Sequence, residues 1–228
     1  MHLRATTRNT GSSGEGFTQR QRPTRTPQDG PVTTMDEQAL KETLRRATVG
    51  IAGAGGLGSN VAFALARAGV GNLIIVDFDR VEESNLNRQQ FFHDQIGELK
   101  VEALRENILR AVPSCGVKAI NQRLEKGSMT EPFRHVDILV EALDAADLKV
   151  HLIEEALIGM PDTPLVAASG VAGIGGGERL KLIRSGTFFL VQDPSSASSD
   201  DEPSLAPKVG MMAFYQANVV LEILMGEK

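Results

Sequence analysis

The glycine cluster Gly53-Ala-Gly55-Gly56-Leu-Gly58 follows an apolar run, Thr48-Val-Gly-Ile-Ala52, and leads into an apolar helical stretch, Asn60 to Ala68. In that setting glycines let backbone N–H groups approach a phosphate at the N-terminus of a helix. Asp77 closes the next apolar run, Leu73-Ile-Ile-Val-Asp77. An acid about 20 residues beyond the glycines is placed to bind ribose hydroxyls. The pattern therefore predicts a nucleotide site, with a purely structural tight turn as the alternative. The chain has no Gly-x-x-x-x-Gly-Lys-Ser/Thr segment, so a triphosphate here would not be held as P-loop proteins hold it. A nicotinamide dinucleotide stays open at this point.

The segment after Asp77 narrows the choice. Asp77-Phe-Asp79-Arg-Val-Glu-Glu-Ser84-Asn85-Leu-Asn87-Arg88-Gln89 carries more polar and cationic groups than a dinucleotide site generally needs. Arg88 would offer a planar fork to phosphate oxygens, and Lys100 a point charge. Taken singly, each reads equally as solvated surface charge. Asp79 is either a second acid on the phosphate side or the cap of a turn. His93, His135 and His151 have no metal-ligand spacing, and Cys115, after Pro113-Ser114, reads as a packing residue.

These residues need elements to hold them. A helix is predicted from Met35, where Leu40, Leu44 and Ala47 share one side of a charged segment. After the strand, glycine loop, helix and strand already described, helices about 99–111, 128–134 and 147–158 alternate with strands about 117–121, Val136–Val140 and Leu165–Ala168. This alternation predicts an α/β, Rossmann-like, doubly wound and mostly parallel sheet with helices on both faces. Arg179–Arg184 and Thr187–Val191 read as a hairpin across Ser185-Gly186, an antiparallel extension near the C-terminus. A Ser/Asp-rich loop, about 193–207, then precedes a final helix from Val209 to Met225.

Composition sets the outer bounds. With 228 residues, 41% of them apolar, the chain can bury a full core and fits one globular domain. Residues 1–34 differ, being rich in Thr, Gly, Ser, Gln and Pro with arginines at Arg4, Arg8, Arg20, Arg22 and Arg25. They are expected to form a disordered basic tail, read either as an arm that touches nucleic acid or membrane or as an extension ahead of the 35–228 domain. The net charge of −5 argues against nucleic acid as a general partner. No stretch reaches the apolar length of a membrane span, and one cysteine forms no intrachain disulfide. A cytoplasmic protein with neither membrane nor zinc is expected.

In order along the chain, the glycine loop, Asp77-Phe-Asp79, Ser84-Asn-Leu-Asn-Arg-Gln89 and Gly97-Glu-Leu-Lys100-Val-Glu resemble the ThiF and MoeB family, which includes the adenylation domains of ubiquitin-activating enzymes. The resemblance runs from about residue 47 to the C-terminus. Glu141-Ala-Leu-Asp144, Ala168-Ser-Gly-Val-Ala-Gly173 and Gln216-Ala-Asn218 look most like the short ThiF form.

The resemblance implies a nucleotidyltransferase that uses ATP and Mg²⁺ to adenylate the C-terminal Gly-Gly carboxylate of a ubiquitin-like, ThiS-like sulfur carrier protein, in thiamine or related sulfur-transfer biosynthesis. The alternative is a relative that adenylates another carboxylate or a modified tRNA base. By matching motif, Gly53, Gly55, Gly56 and Gly58 would cradle phosphate, and Asp77 would hold the ribose. Asn85, Arg88, Gln89 and Lys100 would contact the triphosphate, Arg88 and Lys100 supplying catalytic charge. Asp144 would hold Mg²⁺; Asp147 by itself reads as either the cap of the following helix or a metal ligand, with Asp144 favoured for the metal because it sits at the strand's end.

The sequence also departs from the family. Ala145 and Lys149 stand where the family's Asp-Asn-x-x-x-Arg pattern has Asn and Arg, and the two Cys-x-x-Cys zinc pairs and the thioester cysteine of larger members are missing. A homodimer is implied, although the helix around Arg45 and Arg46 lacks the segment that reaches a partner subunit's site in MoeB-type members. The 193–207 loop matches in position the family segment that lies over the carrier's flexible tail, or else is a solvated surface loop.

Overall fold

Alternate residues of the central strands point to opposite faces, and here both faces are apolar. Val49 and Ile51 of β1 (Thr48–Ala52) enter one hydrophobic cluster, while Ala52 enters the other. In β4 (Ile138–Glu141), Ile138 and Val140 join the first cluster and Leu139 the second. A sheet buried on both sides needs helices on both sides. The computed structural model, which describes residues 36–197 and 201–226, shows this arrangement. The expected disordered tail, 1–34, lies outside the described residues, as do residues 198–200 of the Ser/Asp-rich loop.

The order along the chain is α1 (Glu37–Arg46), β1, α2 (Gly56–Ala68), β2 (Asn72–Asp77), α3 (Lys100–Ala111), β3 (Gly116–Asn121), β4, α4 (Ala146–Gly159), β5 (Leu165–Ser169), β6 (Lys181–Ser185), β7 (Phe188–Gln192) and α5 (Ala206–Leu224). The seven strands form one sheet in the order β3-β2-β1-β4-β5-β7-β6. All neighbours are parallel except the edge pair β6 and β7. One core gathers Leu44, Leu65, Leu104 and Val220 from α1, α2, α3 and α5 against the sheet, and the other gathers Met129, Phe133 and Leu152 on the opposite face.

The strand order reverses between β1 and β4. At such a switch point the chain leaves in opposite directions and opens a crevice at the C-terminal ends of the strands. The expected α/β doubly wound sheet with an antiparallel extension is thus the fold.

Among the boundaries that differ from the sequence reading, three bear on the site and its supports. Helix α2 begins at Gly56, not Asn60, since glycine's poor helix propensity is overridden by close packing: any Cβ on Gly58 would strike the Gly53 carbonyl. The expected helix at 128–134 is a single 3₁₀ turn, Glu131–Phe133, in which Pro132 offers no N–H to prolong it. Arg179 is not in the hairpin but in the 3₁₀ turn Gly177–Arg179 that precedes it.

Candidate active site

The loop after β1 is shaped by its contacts. Gly53 has φ +102 and faces the Ala142 carbonyl so closely that a side chain would be excluded. Asp77, at the end of β2, accepts from Ala54 N at 2.6 Å through Oδ2 and from Asp79 N at 2.7 Å through Oδ1. One carboxylate thereby fixes the glycine loop to the next turn. Each oxygen retains a lone pair for a further donor. At Gly55, the N-cap of α2, no side chain caps the helix, so its first amides keep the partial positive charge that favours an anion. Among the described residues, the nearest side chain to an added Cβ on Gly55 would be Gln89, its Nε2 at 3.9 Å.

The polar arm between β2 and α3 is stitched onto this helix. Asn60 Nδ2 donates to Gly56 O at 2.7 Å and to Arg88 O at 3.0 Å. Ser59 Oγ donates to Gly55 O at 2.7 Å and accepts from Gln90 N at 3.2 Å. Arg88 and Gln89 are therefore held over the glycine loop by backbone-directed bonds. The Arg88 guanidinium uses only Nη1 in its bonds to Ser84 O, 2.9 Å, and Asn87 Oδ1, 2.7 Å. Gln89 is buried, and its Oε1 has no partner among the described residues. Such an orphaned acceptor carries a desolvation cost, which a bound hydroxyl or amine donor would relieve.

A cleft of about 970 Å³ collects these groups at the C-terminal ends of the parallel strands. Gly53, Gly55, Gly56, Asp77, Asp79, Arg88, Gln89, Lys100 and Asp144 all line it. Gly58 and Asn85 do not. Gly58 serves packing, as noted, and Asn85 Oδ1 accepts from Glu82 N at 3.1 Å, capping a 3₁₀ turn whose carbonyl at Asn85 receives Arg88 N and Gln89 N. Asn85 thus aims the arm without lining the cleft.

Lys100 opens α3, is buried, and lies 2.8 Å from Asp79 Oδ2. Its charge is shared with that carboxylate before any phosphate arrives. Asp79 therefore acts as the partner of Lys100, a role between the two considered from sequence. Asp144 is exposed and accepts from Ala145 N at 2.8 Å through Oδ1. Asp147 stands in the first turn of α4, whose N-cap is Ala145.

The cleft also holds groups to which the sequence assigned no chemical role. Lys149 lines it, and beneath Lys149 the fully buried Glu141, at the end of β4, accepts from Leu143 N at 2.8 Å and lies 2.5 Å from Lys149 Nζ. Burial pushes its carboxyl above the usual range while the Lys149 ammonium opposes that rise. Arg123, beyond β3, stacks its guanidinium 3.8 Å from the Phe78 ring centroid, a cation–π contact on the rim. Asp193, directly after β7, is buried against Lys208 and Arg179. Burial alone would raise its carboxyl, but hydrogen bonds from Lys208, Ser195 N and Arg179 hold it down at about 2. No spacing pattern links residues 193 and 208, which only the return of α5 brings together. Among the described residues no group of three or more His, Cys, Asp or Glu could hold a metal ion, and no helix is long and apolar enough to cross a membrane.

Comparisons with known proteins bear on the family and the fold. The model of the ThiF family matches residues 31–228. The chain is 36% identical over 133 residues to the tRNA threonylcarbamoyladenosine dehydratase of Bacillus subtilis, covering 58% of this chain and 52% of that protein. It is 34% identical over 191 residues to an adenylyltransferase and sulfurtransferase of Eremothecium gossypii, covering 80% of this chain and 42% of that one. The chain thus spans about half the length of the curated relatives it matches. Among solved structures, the fold is similar to the Escherichia coli tRNA N6-threonylcarbamoyladenosine dehydratase in complex with ATP, with a TM-score of 0.76, 19% identity, and coverage of 83% of this chain and 90% of that one.

Proposed function

Because this chain belongs to the ThiF family, we propose that it is an ATP-dependent adenylyltransferase that activates a carboxylate. The observation that carries this reading is the convergence of the glycine loop, Asp77, Arg88, Gln89, Lys100 and Asp144 on one cleft. In the reaction the acceptor carboxylate oxygen bonds to the α-phosphorus of ATP as the bond to the bridging oxygen breaks and pyrophosphate leaves. Two anions must be brought together, so preorganised positive charge is the main requirement. The N-terminal amides of α2 and the Arg88 fork supply it at the glycine loop, and Lys100 supplies more from within its Asp79 pair.

Asp77 would hold the ribose by the lone pairs it keeps. The single carboxylate of Asp144 suits Mg²⁺, an ion commonly bound by one or two carboxylates together with substrate phosphates, and the ion would supply charge neutralisation there. No protein nucleophile is required, since the acceptor is already ionised at neutral pH.

Two acceptors fit. A carboxylate on a modified tRNA base is supported by the 36% identity to a tRNA-modifying dehydratase. The Gly-Gly terminus of a ubiquitin-like sulfur carrier is supported by the adenylyltransferase and sulfurtransferase that aligns with 80% of the chain, and by the net charge of −5, which disfavours a polyanion. In either case the chain works as a homodimer, as the resemblance implies, which light scattering tests.

ATP–pyrophosphate exchange measured with a Gly-Gly-terminated carrier and with threonylcarbamoyl-modified tRNA tests the activity and distinguishes the acceptors. Stimulation by one of them is expected. Protein that binds NAD but not Mg-ATP, and drives no exchange with either, would overturn the reading.

A further inference from the structure

Two loops away from the glycine loop in sequence contribute to the wall of the cleft, one after β5 (Gly170, Val171, Ala172) and one after β7 (Asp193, Pro194, Ser196, Ala197, then Ser204). Both converge on one buried carboxylate. Asp193 Oδ2 lies 3.0 Å from Lys208 Nζ, and Oδ1 accepts from Ser195 N at 3.0 Å. Arg179 bridges both oxygens, Nε to Oδ1 and Nη2 to Oδ2, each at 3.4 Å.

The same ammonium extends the tie. Lys208 also donates to Ser196 Oγ at 3.2 Å, and Ser196 Oγ donates to Ala172 O at 2.9 Å. Gly173 N donates to Pro203 O at 3.0 Å. Gly176, at φ +82, passes so near the ion pairs that an added Cβ would sit 2.5 Å from both Arg179 Nη2 and Asp193 Oδ2. The first turn of α5, which carries Lys208, is itself anchored beside the glycine loop. Val209 packs so that its Cγ1 would lie 3.1 Å from a Cβ on Gly56. One buried node therefore references both loops to the helix that abuts the phosphate side.

We propose that Asp193, Lys208 and Arg179 form a positioning node that sets the acceptor-side wall of the cleft, and so governs how well the acceptor chain is seated without governing how ATP is held. This rests on the carboxylate-adenylating function above. The argument is one of placement. None of the three residues belongs to the glycine loop, the 77–89 arm or α3, which hold the nucleotide-facing groups. The Asp193–Lys208 pair is desolvated, with side-chain exposures of 0% and 4%, while Arg179 reaches it from a partly exposed position at 41%; in a desolvated pair geometry is held tightly and a lost partner is felt. A small loosening of the wall misplaces an acceptor whose reacting oxygen must approach one phosphorus atom.

The test compares Lys208→Met, the double variant Asp193→Asn with Lys208→Met, and Lys208→Arg with the wild-type chain. The double variant removes both charges, so it leaves no buried carboxylate without its partner if Lys208→Met alone fails to fold. Three quantities are read: Mg-ATP affinity by calorimetry, amide hydrogen exchange in 170–177, 193–197 and 201–205, and acceptor KM and kcat in pyrophosphate exchange with the carrier or tRNA that the wild type uses. The node predicts ATP affinity within twofold of wild type and at least tenfold faster exchange in both loops while β1 and α2 stay protected. It also predicts acceptor KM raised about tenfold with kcat within threefold, and recovery of KM in Lys208→Arg. Unchanged loop protection, ATP affinity lost in parallel, or kcat falling at constant KM each overturns it. Should the wild type use neither acceptor, the functional reading alone fails and loop protection with ATP affinity decides the node.

Discussion

Lys149 Nζ lies 2.5 Å from Glu141 Oε2 at the floor of the cleft, with the Glu141 side chain fully buried and Lys149 also donating to Ala168 O at 3.1 Å. The pair joins the ends of β4 and β5 through α4. The Lys149 ammonium is thus committed to a carboxylate and a carbonyl beneath the cleft.

Removing the cation should strand that carboxylate. Lys149→Met is expected to lower folding stability by about 3 kcal/mol near neutral pH, the scale for breaking a buried pair. Burial already raises the Glu141 carboxyl, so the folded variant takes up a proton more readily than the unfolded chain. Stability is then retained at low pH and lost as pH rises from the unfolded carboxyl value through the raised folded one. Denaturant melts at pH 5 and pH 8 check this, and an equal deficit at both would show that Glu141 does not sense Lys149.

Arg88→Ala and Asp144→Asn should act on chemistry instead. Each is expected to slow acceptor-dependent pyrophosphate exchange by about 10²-fold, or on the order of 3 kcal/mol. Thermal stability without nucleotide should barely move, since among the described residues the Arg88 side chain bonds within its own turn and Asp144 is exposed. Arg88→Ala protein that exchanges at the full rate would remove Arg88 from the site.

Cys115 is buried, its Sγ 3.5 Å from Val70 O, and burial pushes its thiol above the ordinary range. A thiol held protonated away from the cleft is a poor acyl acceptor. Cys115→Ser should therefore keep its exchange activity, and denaturing gels of the wild type with a carrier should show no band that thiol reagents remove. Appearance of such a band, and its loss in the variant, would point to a thioester step.

Asp193 gives an acid signature. Its carboxyl is held at about 2 against an ordinary 3.8, so the stability it contributes is complete above the ordinary value and disappears as pH falls toward the depressed one. Melting curves of wild type should lose stability across that window, and Asp193→Asn should show a shallower decline there. Parallel declines in the two proteins would contradict the buried ion pairs.

What the sequence determined by itself is the part of this protein whose physics is local. The run from Thr48 to Asp77 is legible because strand alternation, a glycine turn and an apolar helix each depend on neighbours a few residues apart. The 77–100 arm is legible as a motif because its chemistry is written in consecutive residues, so Arg88, Gln89 and Lys100 could be named before their positions were known.

Tertiary structure decided what those residues do to one another. Asp79 neutralises part of Lys100 across 21 positions of chain, Asn85 turns out to cap the arm, and β7 enters the sheet beside β5 so that Asp193 emerges at the cleft. Glu141 with Lys149, and Asp193 with Lys208 and Arg179, became functional candidates only once the chain had closed around them. A lone acid or base in sequence is by default a solvated charge, and only folding, by removing water and bringing a distant partner within reach, turns it into a buried ion pair.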